Sequence, residues 1–156
     1  MAQPFTVGVV SDTHGLVRPE ALDALAGSDL IVHAGDVGTP EVLETLRTVA
    51  PTVAVRGNVD RDDWADALAE TEVVECGERS LYLLHNLDEL DLDPVAARFD
   101  VVISGHSHKP LVSEKDGVLY LNPGSIGPRR FTLPVSLARL RIGDGAIEPA
   151  LVTLDV

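Results

Sequence analysis

The stretch TVAVRGNVD, residues 52–60, passes from an apolar run directly into a polar end. Residues 52–55 are β-branched or small, and they predict a short buried strand. Gly57, Asn58 and Asp60 follow at once, and residues of these types favour a turn. The stretch therefore predicts a strand of a covered sheet with polar side chains at its end.

The chain before this stretch shows the same arrangement twice. Residues 5–10 predict a strand that ends in Ser11-Asp12-Thr13-His14-Gly15, and residues 30–34 predict one that ends in Gly35-Asp36. Helices are predicted at residues 19–26 and from 40 to about 48, each with a proline near its first turn. Alternating strands and helices imply a parallel sheet, whose ligand sites lie outside the carboxyl ends of the strands.

The second half of the chain predicts a more antiparallel arrangement, with two hairpins and a short buried strand before Gly105-His106-Ser107-His108. No linker or repeat interrupts it, so residues 1–156 are predicted to form a single domain. The predicted elements are strands at residues 71–75, 79–84, 101–104, 111–113, 118–121, 134–141 and 146–154 and a helix from Asp93 to about Phe99.

The composition limits the classes of function. Of 156 residues 45% are apolar, and the formal net charge is −13. Because this charge repels nucleic-acid backbones and anionic membranes, we expect neither duplex binding nor membrane association. No apolar run is long enough to span a bilayer, no basic stretch resembles a signal peptide, and the single Cys76 cannot form an internal disulfide. These features favour a soluble, cytoplasmic protein.

Seven polar residues follow the predicted strands: Asp12, His14, Asp36, Asn58, His85, His106 and His108. A lone histidine is usually a core or surface residue, and a lone Gly-Asp is usually a turn. The two pairs Asp12/His14 and His106/His108 are each two residues apart, so on extended segments each pair would project to one side. We interpret the whole set as one shared site.

Four imidazoles, two carboxylates and one amide suit borderline divalent metals better than magnesium. Seven ligands exceed the needs of one tetrahedral ion, but they fit two ions about 4 Å apart that share a carboxylate. We expect manganese first, with iron, nickel, cobalt and zinc as alternatives. A water between two such ions becomes a hydroxide nucleophile near neutral pH, which suits hydrolysis of a phosphate ester.

The ordered motifs Asp12-Thr13-His14, Gly35-Asp36, Gly57-Asn58, His85 and Gly105-His106-Ser107-His108 resemble those of the calcineurin-like metallophosphoesterases. Asn122-Pro123-Gly124-Ser125 resembles a motif of the small bacterial and archaeal phosphodiesterase branch. The resemblance implies an α/β, four-layer αββα sandwich with two mixed sheets. It also implies that one metal is held by Asp12, His14 and His108, that Asp36 is the bridge, and that the other metal is held by Asn58, His85 and His106.

The resemblance further implies catalytic roles for Asn58 and His106, and substrate contacts for Asn58, Gly124, Ser125 and Arg129. Gly124 and Ser125 are equally explained by a tight turn, and Arg129 and Arg130 by an exposed pair. His33 is expected to support a ligand or fill the core rather than bind metal. Asp60 either orients a neighbour or is solvated.

Two positions depart from the family pattern. Val59 stands where many larger members have a histidine that protonates the leaving group, so activated or strained cyclic diesters are the easier substrates. Asn86 stands where a glycine commonly follows the metal-binding histidine.

The sequence therefore predicts a dinuclear-metal phosphodiesterase that hydrolyses a small phosphodiester, and the chain is a possible homo-oligomer. Two alternatives stay open. The first is a phosphomonoesterase or nucleotide hydrolase, and the second is a noncatalytic scaffold on the same fold.

Overall fold

The computed structural model describes residues 4–143 and 145–156 and contains two five-stranded sheets. Two short 3₁₀ turns lie at Asp63–Ala67 and Leu87–Glu89. The strands and helices are β1 Phe5–Val10, α1 Pro19–Leu25, β2 Leu30–His33, α2 Pro40–Arg47, β3 Thr52–Ala54, β4 Thr71–Cys76, β5 Arg79–Leu84, β6 Val101–Ile103, β7 Leu111–Lys115, β8 Val118–Asn122, β9 Ser136–Gly143 and β10 Ala146–Thr153.

The first sheet has the strand order β10-β9-β1-β2-β3. Strands β1, β2 and β3 are parallel, as predicted, and Val10 pairs with His33, which pairs with Ala54. Strands β9 and β10 are antiparallel additions beside β1. Because the three parallel strands end in register, the polar residues after them reach the same edge of the sheet.

The second sheet has the strand order β4-β5-β6-β8-β7. Its central strands β5, β6 and β8 are parallel, and Leu83, Ile103 and Leu121 stand side by side. The hairpins β4–β5 and β7–β8 close the two edges, as predicted. The segments after β5 and β6, which begin at His85 and Gly105, therefore start at one edge of this sheet too.

The two sheets pack face to face through an apolar core. Val7 and Val9 of β1 point into this core, whereas Val10 and Ile31 pack on the opposite face against the helices. Because both faces of these strands are buried, their apolar residues follow one another without interruption. Each fully buried Val or Ile stabilises the folded protein by about 1.5–3 kcal/mol. The core residues between the sheets include Val7, Val9, Val32, Leu81, Leu83, Val101, Ile103, Leu121, Ala138 and Leu140.

The helices α1 and α2 cover the outer face of the first sheet. Leu25 and Leu46 are fully buried there against Ile31 and Leu137. The chain is thus a layered α/β sandwich with two mixed sheets. No helix among the described residues is long and apolar enough to cross a bilayer.

The helix predicted from Asp93 to Phe99 was wrong, because residues 94–98 form only turns. Asp93 Oδ1 does accept the Val95 N–H at 3.0 Å, as a helix cap would. Arg98, however, has a left-handed φ of 64°, which ends the helical path, and Phe99 stacks on Tyr82 at 4.8 Å between ring centroids. Tertiary packing of Phe99 overrides the local helix signal, and the second sheet is covered on its outside by turns.

Candidate metal centre

The seven predicted ligands come together where the carboxyl ends of strands from both sheets meet. Asp12 and His14 follow β1, Asp36 follows β2, Asn58 follows β3, His85 follows β5, and His106 and His108 follow β6. Six of their side chains form two groups of potential ligand atoms, within each of which all atoms lie within 4.8 Å of one another: Asp12, His14 and His108, and Asp36, His85 and His106. Asn58 Oδ1 lies 2.9 Å from His85 Nε2 of the second group. The assignment of these residues to two metal ions stays a prediction.

The first group centres on Asp12, which is fully buried. Its Oδ2 accepts hydrogen bonds from Ser11 Oγ at 2.6 Å and from the His106 N–H at 3.0 Å. Its Oδ1 lies 3.4 Å from His108 Nε2 and 3.8 Å from His14 Nε2, and neither Asp12 Oδ1 nor His14 Nε2 has a hydrogen-bond partner. Buried polar atoms without partners are costly, so this group suits a bound cation.

The second group surrounds His85. Its Nδ1 donates to the Ala34 carbonyl at 2.7 Å, which fixes the proton there and leaves Nε2 as an acceptor in the neutral ring. Nε2 lies 2.9 Å from Asn58 Oδ1 and 3.2 Å from Asp36 Oδ2. With the His85 ring neutral, these acceptor atoms face one another, an arrangement that a bound cation would stabilise.

Asp36 lies between the two groups. Its Oδ2 is 3.7 Å from His14 Nε2 of the first group and 3.2 Å from His85 Nε2 of the second. Its Oδ1 accepts the Val59 N–H at 3.0 Å, which fixes the orientation of the carboxylate. The donor set therefore fits two divalent ions, with Asp36 placed to contact both.

The two carboxylates are ionised at neutral pH. In the metal-free protein, burial alone would raise the pKa of Asp36, but the protonated form of His85, which can donate from Nε2, and the Val59 N–H outweigh burial and hold the pKa at about 2. For Asp12, burial is likewise outweighed by His108 and Ser11, so its pKa is lowered. Burial would lower the pKa of His85, but the neighbouring Asp36 and Asp12 raise it. Both carboxylates are thus available as anionic ligands.

The ligand-bearing loops have an unusual backbone. The expectation that the two pairs lie on extended segments was wrong, because both strands end before them and their residues turn sharply. Left-handed φ angles cost of order 1–3 kcal/mol for residues other than glycine, and they collect where function demands them. Five predicted ligands have such angles, namely Asp12 (55°), His14 (45°), Asp36 (58°), His106 (71°) and His108 (63°).

Glycines permit the close contacts between these loops. A Cβ on Gly57 would collide with the backbone nitrogen and Oδ1 of Asp36. A Cβ on Gly105 would collide with Ser11 Oγ and lie 2.7 Å from Asp12 Oδ2. The glycine in the opening stretch therefore lets the end of β3 approach the Asp36 loop.

Asp60, whose role the sequence left open, holds two of the loops that carry the predicted ligands. Asp60, only 2% exposed, accepts the N–H groups of Val37 at 3.1 Å, Gly38 at 3.0 Å and Gly57 at 2.9 Å. It thereby ties the loop after β2 to the loop after β3. The sequence offered no local signal for the link to the loop after β2, because Val37 and Gly38 lie 23 and 22 residues from Asp60.

His33 is a second residue whose role the sequence left open, and its ring forms hydrogen bonds to the loops after β1 and β2. Its Nδ1 accepts the Gly35 N–H at 3.0 Å, so in the neutral ring Nε2 carries the proton and donates to Thr13 Oγ1 at 2.9 Å. Complete burial lowers the pKa of His33 to about 4. His33 thus joins Thr13 and Gly35 as a neutral side chain.

The predicted substrate contacts Gly124, Ser125 and Arg129 are engaged within the protein. The Gly124 N–H donates to Asn122 Oδ1 at 2.9 Å, and Ser125 Oγ donates to the Asp12 carbonyl at 2.8 Å. Arg129 Nη2 donates to the Val156 carbonyl at 2.9 Å. These contacts favour structural roles, and substrate binding by the three residues stays a prediction.

Two cavities adjoin the centre and share His106 and Asn86 in their walls. The larger has a volume of about 770 Å³ and extends along β7 and β8. The smaller, about 290 Å³, lies beside Asn58 and Arg56. His106 is exposed, so its ring stands between the two openings.

The sequence matches the family model of the calcineurin-like phosphoesterase superfamily domain over residues 5–145. A probable metallophosphoesterase of Methanothermobacter thermautotrophicus is 36% identical, with 94% of this chain and 91% of the relative covered. The phosphodiesterase YfcE of Escherichia coli is 28% identical over 83% of this chain and 84% of its own. A crystal structure of Entamoeba histolytica Vps29 complexed with Zn²⁺ has a TM-score of 0.74 at 25% identity, covering 97% of this chain and all of that one. The chain belongs to the calcineurin-like phosphoesterase superfamily.

Proposed function

We propose that the protein is a phosphodiesterase that depends on two divalent metal ions. The observation that carries this proposal is the position of Asp36 Oδ2 between two groups of potential ligand atoms, the first of which includes buried atoms without hydrogen-bond partners. The similarity to YfcE, named a phosphodiesterase, supports the same reaction. The substrate would be a small diester in the cytoplasm, since the charge of −13 disfavours binding of nucleic-acid duplexes.

Hydrolysis adds the oxygen of a water molecule to phosphorus, breaks one P–O ester bond and releases an alcohol with a proton. Two bound divalent ions would neutralise the phosphate charge and lower the pKa of that water. Asn58 and His106, both exposed beside the buried ligands, are placed to contact the phosphate oxygens. Val59, 46% exposed at the rim, cannot donate a proton to the leaving alcohol.

We propose manganese as the metal, with iron, nickel, cobalt and zinc as alternatives. Imidazole nitrogens outnumber carboxylate groups in the site, which favours these borderline ions over magnesium. The ligands assigned to the first ion are Asp12, His14 and His108, those assigned to the second are Asn58, His85 and His106, and Asp36 is shared.

Two other functions compete with this one. A phosphomonoesterase or nucleotide hydrolase would use the same ligands. A scaffold on the same fold is favoured by the similarity to Vps29, a protein named for vacuolar sorting rather than for catalysis. The paired ligand groups are retained here, which supports the enzyme over the scaffold.

The test is to assay the purified protein, loaded with each metal in turn, against bis(p-nitrophenyl) phosphate and p-nitrophenyl phosphate. We expect turnover of the diester that a chelator abolishes and manganese restores. Faster turnover of the monoester would favour the phosphomonoesterase. Metal binding without turnover under any of these conditions would favour the scaffold.

A further inference from the structure

The larger cavity beside His106 has a group of apolar side chains in a wall that is otherwise polar. Leu111, the first residue of β7, is 56% exposed, and Leu87, which begins a 3₁₀ turn, is 38% exposed. Tyr120 and Leu121 of β8 also line it. Apolar side chains left open to solvent in one concave surface mark a binding site for an apolar group.

Asn86, the residue that departs from the family pattern, shapes this cavity. Its Oδ1 accepts the Asp88 N–H at 3.0 Å and so caps the 3₁₀ turn Leu87–Glu89. A glycine at this position would lack that cap. The side chain therefore fixes the turn that places Leu87 in the cavity wall.

The charge in this region differs from that of the rest of the protein. Lys109 and Lys115 are the only lysines in the sequence, and both line the larger cavity. In residues 4–143 and 145–156, neither lysine forms a salt bridge. The smaller cavity instead has Glu70, Glu89 and Asp91 in its walls. The two lysines outnumber the one carboxylate of the larger cavity, Asp88, so an anionic ligand meets less repulsion there than in the smaller cavity, where three carboxylates accompany Arg56.

We propose that the larger cavity binds one ester arm of the substrate, an arm that carries an aromatic ring or a nucleobase. This proposal rests on the proposed function, because it places the phosphate at His106. The arm then passes between Leu87 and Leu111, with the lysines facing the anionic side of the ligand. The acidic smaller cavity disfavours an arm that is itself apolar or anionic.

The first test compares three diesters that share the p-nitrophenolate leaving group and carry a methyl, a phenyl or a thymidine arm. The ratio of kcat/KM for the phenyl or thymidine diester to that for the methyl diester should fall about tenfold in Leu111→Ser combined with Leu87→Ser. Comparing ratios between variants cancels the intrinsic reactivity of each ester. Leu151→Ser is the matched control, because Leu151 is 42% exposed on β10 and lies outside the cavity. An unchanged ratio in the double variant would overturn the proposal.

The second test does not depend on catalysis. Naphthalene-1-sulfonate, an aromatic anion that phosphoesterases do not cleave, is titrated into the protein while backbone amide resonances are followed. We expect shifts at residues 87–90 and 107–113 and at least fivefold weaker binding in Leu111→Ser, but not in Leu151→Ser. If the protein binds naphthalene-1-sulfonate in this way but cleaves no ester, the proposed function is wrong, whereas the assignment of the cavity as a site for an aromatic group is supported. Turnover of the diester without binding of naphthalene-1-sulfonate at these residues would support the proposed function and overturn the assignment of the cavity.

Discussion

The two sheets of the sandwich supply the same centre but carry different outer layers. The first sheet is closed by α1 and α2, and its residues Asp12, Asp36 and Asp60 are held by buried hydrogen bonds. The second sheet is covered by turns, which leave the large cavity open beside His106. The loops after the first sheet supply Asp12, His14, Asp36 and Asn58, and those after the second sheet supply His85, His106 and His108. On the proposal above, the second sheet also provides the surface that selects the substrate.

The largest expected effect on metal content and turnover is that of Asp36→Asn, which alters a predicted ligand supplied by the first sheet. The loss of one negative charge at the shared position should reduce metal content from two ions to one or none. Turnover of the diester should fall about 10³-fold. Elemental analysis and steady-state kinetics measure both. Asp66→Asn, in which the replaced side chain is 76% exposed, is the control, and equal metal content in the two variants would refute the shared position of Asp36.

Because His33 is buried as a neutral side chain, we expect the free energy of unfolding of the metal-free protein to depend on pH. The pKa of His33 is about 4 in the folded protein and about 6.5 in the unfolded chain, so the unfolded chain binds the proton first as the pH falls. The free energy of unfolding is therefore at its full value above pH 6.5 and decreases as the pH falls towards 4. The loss is about 3 kcal/mol of unfolding free energy at pH 4. Urea denaturation of the parent and of His33→Gln, from pH 7.5 to 4.5, measures it. Parallel stability curves for the two proteins would contradict the assignment.

Asp60→Asn tests the link between the loops after β2 and β3. An amide side chain has one acceptor oxygen for the three N–H groups that the carboxylate now accepts. We expect metal affinity to fall about 10–100-fold, with a loss of about 2 kcal/mol in stability. Calorimetric metal titration and thermal denaturation test this, again with Asp66→Asn as control. If Asp60→Asn binds metal as tightly as the parent, the link does not position the ligands.

Val59→His has the smallest expected effect and acts at the rim. A histidine there supplies the proton donor that valine lacks, so diesters with poor alkoxide leaving groups should be cleaved about tenfold faster. Turnover of p-nitrophenyl diesters should change little, because their leaving group needs no proton. Measuring both classes of ester with Val59→Phe as the control, which adds a ring without a proton donor, separates proton donation from a change of shape. No gain with the poor leaving groups would show that protonation does not limit the reaction.

The sequence predicted much of this fold because its signals were local. Apolar runs placed β1, β2 and β5 to within a residue, and the polar residues after the strands identified the seven side chains that the structure brings together. The failures came from long-range contacts. The helix after Asp93 gave way to packing of Phe99 on Tyr82.

Other features of the centre had no signal in the sequence. Ser125 contacts Asp12 across 113 residues, and Asp60 joins loops that no local pattern connects. The left-handed φ angles of the ligands were also not predicted, since positive φ is uncommon even for aspartate and histidine, which adopt it more often than most residues. The sequence could thus predict which residues the structure brings together, but not the backbone conformation that orients them.

The most direct test of the account is electron paramagnetic resonance of the protein titrated with Mn²⁺. Two ions that share Asp36 must lie close enough for their spins to couple. We expect the signal of isolated Mn²⁺ to give way to a coupled signal as the second equivalent binds, and Asp36→Asn to abolish the coupling. One ion per chain at saturation, or two ions without coupling, would contradict it.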